Sequence, residues 1–460
     1  MILYAFTVFV ILGCVISIKK KRFFEFFFPM FLFLPDYYGL EISGALPILT
    51  VKRILILVLL VYVFVLYRNR FFALIKGYGI KSIHTLLILY FVARIGSNIR
   101  YITTYGQPLK TILSIIVEEA VLLVAFQMAS PDEEECNSII KSVVYSSAVM
   151  FALGIVESIT DLRLTDALYT VSRYMLDAHY YRLGFLRSTV TMGLPSIYGN
   201  YCVMAFPLIL YAYEHTKQKR FLFILLLAIM ACIHSGSRAA MLFGGGMAVL
   251  GGFVYCKEPK RLMLYLKNAL IVVGSVFGLV CVLSVLSPQF ETYYMGTARA
   301  LLNEVGLDFE MEGEEEFKET FGPNANGTLS RKAQLYGIPY VAGINFLFGL
   351  GSGAQNRGEI CYYFHGEWKA CYTYDIGFVQ TFADEGLLGW IGYGSLFVAL
   401  FVICARRYSN SKACRYFALG LIAYLFCMLA SANMQSILLM YTSFIITMNK
   451  LEFGNEQQGI

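Results

Sequence analysis

The sequence predicts an all-α protein that crosses a membrane about 12–13 times and carries one large extracytoplasmic loop. Two observations predict it. The first is composition. Of 460 residues, 58% are hydrophobic and 15% charged, and the mean hydropathy is +0.63. A soluble protein carries about a quarter charged residues, and a water-soluble fold of this size could not hide so much apolar surface. The second is pattern. The apolar residues fall in runs near the length of a spanning helix, which needs ~20 residues and at least about 17. Lys and Arg gather in the short links between alternate runs.

Taken in order, residues 1–286 hold about ten such runs, at 2–18, 23–37, 51–67, 82–95, 111–128, 139–159, 194–214, 221–234, 239–256 and 262–286. The run at 23–37 is the weakest, because Pro29 and Pro35 interrupt it and proline breaks a helix interior. Residues 160–193 form a loop. Residues 287–388 are too polar to enter a bilayer. They hold an acidic cluster from Glu304 to Glu319, the run Gly349, Leu350, Gly351, Ser352, Gly353, and two cysteines. Residues 389–460 return to the membrane as runs at 389–405, 414–429 and 435–448, followed by a short tail.

Basic clusters set the orientation. Lys19 to Arg22, Arg68 with Arg70, Lys217 to Arg220, Lys257 to Arg261, and Arg406 with Arg407 all fall on one side, which is then the cytoplasm. The loops 160–193 and 287–388 and the link Ser235, Gly236, Ser237, Arg238 lie outside; the terminal tail is cytoplasmic. Lys52 and Arg53 conflict with this arrangement.

Several residues are candidates for chemistry. Arg238 opens an apolar run on the external side. A charge there is costly and marks a functional position by default, although a snorkelling interfacial arginine has the same sequence. Arg331 follows Ser330, a possible helix cap, and sits where the helix dipole disfavours a cation; it also reads as a loop charge. The loop 160–193 carries Arg163, Arg173, Arg182 and Arg187. Of these Arg187, just before Pro195 and a span, is the first choice and Arg182 the second. Guanidinium binds phosphate oxygens in bidentate fashion, so external arginines at a bilayer suit a diphosphate headgroup. Asp375 is a candidate base, or a cap for the next helix, with Tyr374 beside it as a substrate contact. The glycine run lacks the Lys-Ser/Thr of a phosphate loop and reads as a turn. Nine residues separate Cys361 from Cys371, and a disulfide between them is expected in an oxidising compartment. His179 and His365 have no paired ligands, so no metal and no other cofactor is expected. Of the carboxylates in apolar runs, Glu25, Glu118, Glu119 and Glu157 stand out.

The order of these residues resembles a known family. Arg187 and Pro195 precede a span, Ser237, Arg238, Ala239, Ala240 open one, and Ser330, Arg331 lead to the glycine run. The segment Asp375, Ile376, Gly377, Phe378 then leads to Ala383, Asp384, Glu385, Gly386, Leu387, Leu388, Gly389. This pattern is similar to the O-antigen polymerase (Wzy) and O-antigen ligase superfamily. The resemblance covers about residues 187–389 and the span plan, and implies a GT-C-like, ligase-like architecture. It implies a glycosyltransferase that polymerises undecaprenyl-diphosphate-linked oligosaccharide repeat units into O-antigen or capsular polysaccharide. The setting would be the outer face of a bacterial cytoplasmic membrane, with a chain-length regulator as a further protein partner and no nucleic acid. The family's diphosphate-engaging arginines carry onto Arg187, Arg238 and Arg331. Ligases usually show a His-Asn pair where this chain has Asp375-Ile376, which favours a polymerase over a ligase. A lipid-linked glycan flippase is the alternative from another class. Arg163 lies outside the matched residues, and its loss is expected to be nearly silent.

Overall fold

The computed structural model describes residues 2–42, 47–77, 82–171, 179–255, 258–304, 306–307, 309, 334–364, 367–370, 376–409, 411–431 and 434–456. The chain is mostly helical, with three short antiparallel hairpins among the described residues. Among the described residues, five helical stretches are long and apolar enough to cross a membrane: Ile2–Lys19, Gly106–Ala129, Glu133–Thr160, Pro259–Leu286 and Gly377–Arg407. That is fewer than the sequence count. The run at 23–37 shows one reason: it forms an 11-residue helix, Phe23–Phe33, about 17 Å long against a hydrocarbon core of ~30 Å. Leu34 turns extended (φ −69°, ψ 127°) because the residue before a proline is pushed out of the helical region.

The chain divides into two compact units. Unit 1 comprises Met1–Tyr38, Glu134–Gly322 and Ser411–Cys427. Its helices are α1 (Ile2–Lys19), α2 (Phe23–Phe33), α7 (Glu133–Thr160), α8 (Pro195–Thr216), α9 (Arg220–His234), α10 (Arg238–Phe253), α11 (Pro259–Leu286), α12 (Pro288–Glu304) and α15 (Lys412–Met428). Helix α8 is its axis, buried along most of its length. Tyrosines on α8 turn their hydroxyls onto α7: Tyr198 donates to the Met150 carbonyl at 3.0 Å, and Tyr211 to Asn137 at 2.5 Å. Inside an apolar bundle such partners satisfy polar groups that water cannot reach.

Unit 2 comprises Gly39–Glu133, Pro323–Asn410 and Met428–Ile460. It holds the hairpin β1 (Gly39–Leu40) with β2 (Leu49–Thr50), then α3 (Val51–Gly77), α4 (Ser82–Ile99), α5 (Gly106–Ser114) and α6 (Val121–Ala129). It continues with α13 (Gly337–Asn345), the hairpin β5 (Cys361–Phe364) with β6 (Glu367–Ala370), α14 (Gly377–Arg407) and α16 (Gln435–Glu456). One π-helical turn, Ile115–Ala120, joins α5 to α6. Such turns are rare and concentrate at functional sites. This one carries Glu118 and Glu119. Arg53 Nε lies 2.7 Å from Glu118, so the charge that conflicted with the basic-residue rule is neutralised inside the protein.

Helix α14 breaks at Gly386 (φ 65°, ψ −155°), a conformation essentially confined to glycine. The break frees the amides of Leu387 and Leu388. They donate to the Phe346 and Leu347 carbonyls at 2.9 and 3.1 Å. A side chain at Gly349 would stand 2.6 Å from the Gly386 amide, so two backbones cross here glycine to glycine. The glycine run makes this turn and crossing.

Candidate functional site

In unit 1 the loop 160–193 is pinned, through its described residues, to the ends of three helices. Its hairpin, β3 (Tyr181–Arg182) and β4 (Phe185–Leu186), turns through Leu183 (φ 49°) and Gly184 (φ 82°). Both central residues have positive φ, as the two-residue turn favoured by the twist of a hairpin requires. Phe185 plugs into an aromatic cluster, with ring centroids 4.9 Å from Phe290 and 5.0 Å from Tyr293. Past the hairpin, the Ser188 amide donates to the His234 carbonyl at 3.1 Å, and its hydroxyl to the Gly154 carbonyl at 2.5 Å. The amides of Thr189 and Val190 both donate to the Glu157 carboxylate at 3.0 Å. His234 is fully buried, 3.0 Å from Ser158 Oγ through Nδ1 and 3.0 Å from Tyr294 Oη through Nε2.

This anchoring brings Arg182 and Arg187 to the turn that precedes Arg238. Arg187 Nε donates to the Ser235 carbonyl at 3.1 Å and Arg182 Nη1 to the Gly236 carbonyl at 2.7 Å. Arg238 begins α10 two residues on, and all three side chains are half-buried. Two glycines make the approach possible. A Cβ on Gly199 of α8 would lie 2.6 Å from Ser235 Oγ, and one on Gly236 would lie 3.0 Å from Arg187 Nε. The nearby Tyr293 phenol is raised above its ordinary range by burial, and the positive charges of Arg182 and Arg187 oppose that rise. The arrangement can hold an anion with several oxygens, since guanidiniums offer planar paired donors.

Arg163 does not behave as a solvated control. Its side chain is 6% exposed and lies 3.6 Å from Glu157 and 3.4 Å from Asp166. Burial pushes the Asp166 carboxyl above its ordinary range, against the pull of Arg163 and His179. Removing the guanidinium leaves Glu157 to its amide donors and Asp166 to His179, so Arg163→Ala is expected to cost stability rather than to be nearly silent.

Unit 2 contains a buried ion cluster that the sequence reading missed. Arg94 of α4 lies 2.8 Å from Glu119 and 3.1 Å from Glu385, all three nearly inaccessible. Tyr90 Oη donates to Glu119 at 2.6 Å and accepts from Arg94 at 2.7 Å and from Gln435 at 2.6 Å. Glu385 ends the first half of α14, so the break at Gly386 and the π-turn at Glu119 each aim one carboxylate at the same guanidinium. Asn98 extends the network, accepting from Ser352 Oγ at 2.6 Å. The glycine run's own groups are also engaged. The Gly353 and Ala354 amides face the Asp384 carboxylate, and the Ala354 amide donates to the Gly351 carbonyl at 3.1 Å. Arg357 donates to the Leu350 and Ser352 carbonyls at 2.8 and 3.1 Å and stacks 3.7 Å over Tyr105. The anion this loop cradles is a carboxylate of the chain itself.

Arg331, Tyr374 and Asp375 lie outside the described residues, as do Arg173, His365 and Cys371. Cys361 is a free thiol that hydrogen-bonds Tyr340. The hairpin register pairs it with Ala370; the expected disulfide partner, Cys371, lies outside the described residues. No family model and no curated protein matches the chain.

Proposed function

We propose that the protein transfers glycan between polyprenyl-diphosphate-linked oligosaccharides, extending a polysaccharide at the outer face of a bacterial cytoplasmic membrane. One observation carries the reading. Arg182 and Arg187, from one hairpin, reach the turn at the end of an apolar helix, and Arg238 opens the next helix just after that turn. A polyprenyl diphosphate presents its anion at such a level, and the diphosphate is already a good leaving group. The enzyme then has two tasks, to stabilise the departing charge and to position an acceptor hydroxyl. The guanidiniums serve the first, with Arg331 as a further member by the family resemblance. Asp375 serves as the base for the acceptor hydroxyl.

The buried Arg94–Glu119–Glu385 cluster favours a second reading, a flippase, because charges within apolar helices mark substrate or ion pathways in transporters. Gene deletion followed by glycan profiling separates the two. Surface glycan capped with a single repeat unit supports a polymerase. Complete absence of the glycan supports a flippase, and unattached full-length polymer supports a ligase.

A further inference from the structure

Helix α11 of unit 1 stands partly away from its neighbours. At one end Val276, Val280 and Leu283 pack into the aromatic cluster around Phe185. At the other, Asn268 Nδ2 donates to Tyr213 Oη at 2.9 Å, the Tyr265 hydroxyl donates to the Ala248 carbonyl, and Arg261 lies 3.7 Å from Glu214. Between these tethers a crevice of 80 Å³ remains against α8, α9 and α10. Its body is apolar, lined by Phe206, Leu210, Leu225, Ile229 and Val272. Leu264 and Val273 on its rim are 45% and 61% exposed, so it opens along the outer face of α11. An apolar cavity does not hold water. In a bilayer such an opening fills with hydrocarbon.

The length and the charged end select the occupant. From Arg261 to Val273 the helix rises roughly 18 Å, close to the ~15 Å hydrocarbon depth of one leaflet. At the polar end Lys217 lies 2.6 Å from Glu214, Arg261 lies 2.7 Å from Glu258, and Arg415 lies 4.0 Å from Glu258. Three cations therefore face two carboxylates, leaving one positive charge. The Lys217 and Arg261 side chains are 55% and 43% exposed, which leaves their heads at a wet boundary. Basic pockets between helices at such a boundary bind anionic lipid headgroups.

We propose that this crevice seats part of one acyl chain of an anionic phospholipid, the rest of the chain lying along the exposed face of α11, with its phosphodiester between Lys217 and Arg261. The site is separate from the arginine cluster and does not depend on the glycan reading.

The test uses full-length protein reconstituted in vesicles of phosphatidylglycerol and phosphatidylcholine, gently extracted and weighed by native mass spectrometry. Wild type retains phosphatidylglycerol in preference to phosphatidylcholine. Ala269→Phe, which fills the crevice, loses it. Lys217→Ala, which removes an exposed cation, retains it about tenfold less. Equal retention of the two lipids by wild type overturns the proposal, as does undiminished retention by Lys217→Ala. Should Ala269→Phe not fold, those two measurements decide alone. For protein taken from native membranes, a polyprenyl phosphate in place of the phospholipid also overturns it.

Discussion

Arg94 in unit 2 and the pair Arg182 and Arg187 in unit 1 are held in different ways. In unit 2 the Arg94 guanidinium meets two carboxylates and a tyrosine hydroxyl, and it lies 4.7 Å from the centre of the Tyr393 ring. Its charge is more than balanced and it is sealed from solvent. In unit 1 the hydrogen bonds of Arg182 and Arg187 at the turn run to backbone carbonyls. A carbonyl orients a guanidinium without neutralising it. The first arrangement is a closed ion cluster; the second holds two guanidiniums against backbone carbonyls at the turn that precedes Arg238. Sequence setting alone would not separate them, since all of these arginines lie in or beside apolar helices. The identity of the partner does.

The largest effect expected from this contrast is at Arg94. Arg94→Ala strands two buried carboxylates, and breaking a buried pair costs about 3–5 kcal/mol. Membrane accumulation and detergent melting temperature should fall together. The triple change Arg94→Met, Glu119→Leu, Glu385→Leu removes every charge and should recover much of the loss, because apolar replacement of a buried ion cluster is often neutral. An Arg94→Ala protein of normal stability that has lost activity would instead make the cluster a working site.

Arg163→Ala comes next, toward the lower end of about 3–5 kcal/mol, because its contacts to Glu157 and Asp166 are longer. The same melting assay reads it. A melting temperature equal to wild type would show that the Arg163 contacts contribute nothing to stability.

Two glycines should then divide by unit. Gly386→Ala imposes strain of about 1–3 kcal/mol as well as backbone overlap, and should appear as lost stability. Gly236→Ala (φ 60°) crowds Arg187 Nε at 3.0 Å and should cut activity more than its melting temperature suggests. Matching ratios of activity to stability in the two variants would erase the distinction.

The smallest effect is a pH dependence in unit 2. Arg357 donates to Glu359 at 2.7 Å and holds its carboxyl below the ordinary value of 4.5. A lowered carboxyl contributes stability that is full above about pH 4.5 and is lost as pH falls through the folded value. Partial exposure limits it to less than ~1 kcal/mol. The melting gap between wild type and Glu359→Gln should therefore be open at pH 7 and close on acidification below pH 4.5. A gap of constant size would assign the loss to geometry rather than charge.

Much of this could be read from the chain. The apolar runs became helices. Arg187 and the Ser235–Arg238 link stood out because a charge or a small polar turn between apolar runs needs a reason. The Arg94 cluster escaped notice because its partner Glu385 is 291 residues away, and no local pattern joins them. One signal was available: Arg94 interrupts an apolar run, as Glu119 does, and buried charges seek opposite partners. The π-turn at Glu119 and the break at Gly386 were not legible, because each is imposed by tertiary contacts rather than by local propensity. The helix at 23–37 was overestimated for the opposite reason. Pro35 was visible, and its effect on Leu34 sets where the helix stops.

The central claim is that the arginines gathered at the Ser235–Ser237 turn engage the diphosphate. The most direct measurement compares glycan ladders from cells carrying wild type, Arg187→Lys and Arg238→Ala, with membrane protein levels determined in parallel. Lysine keeps the charge at 187 but loses the planar fork. The account predicts normal protein levels, loss of chain extension in Arg238→Ala, and extension slowed about ten- to a hundredfold in Arg187→Lys. Full-length ladders from both variants at normal expression would contradict it.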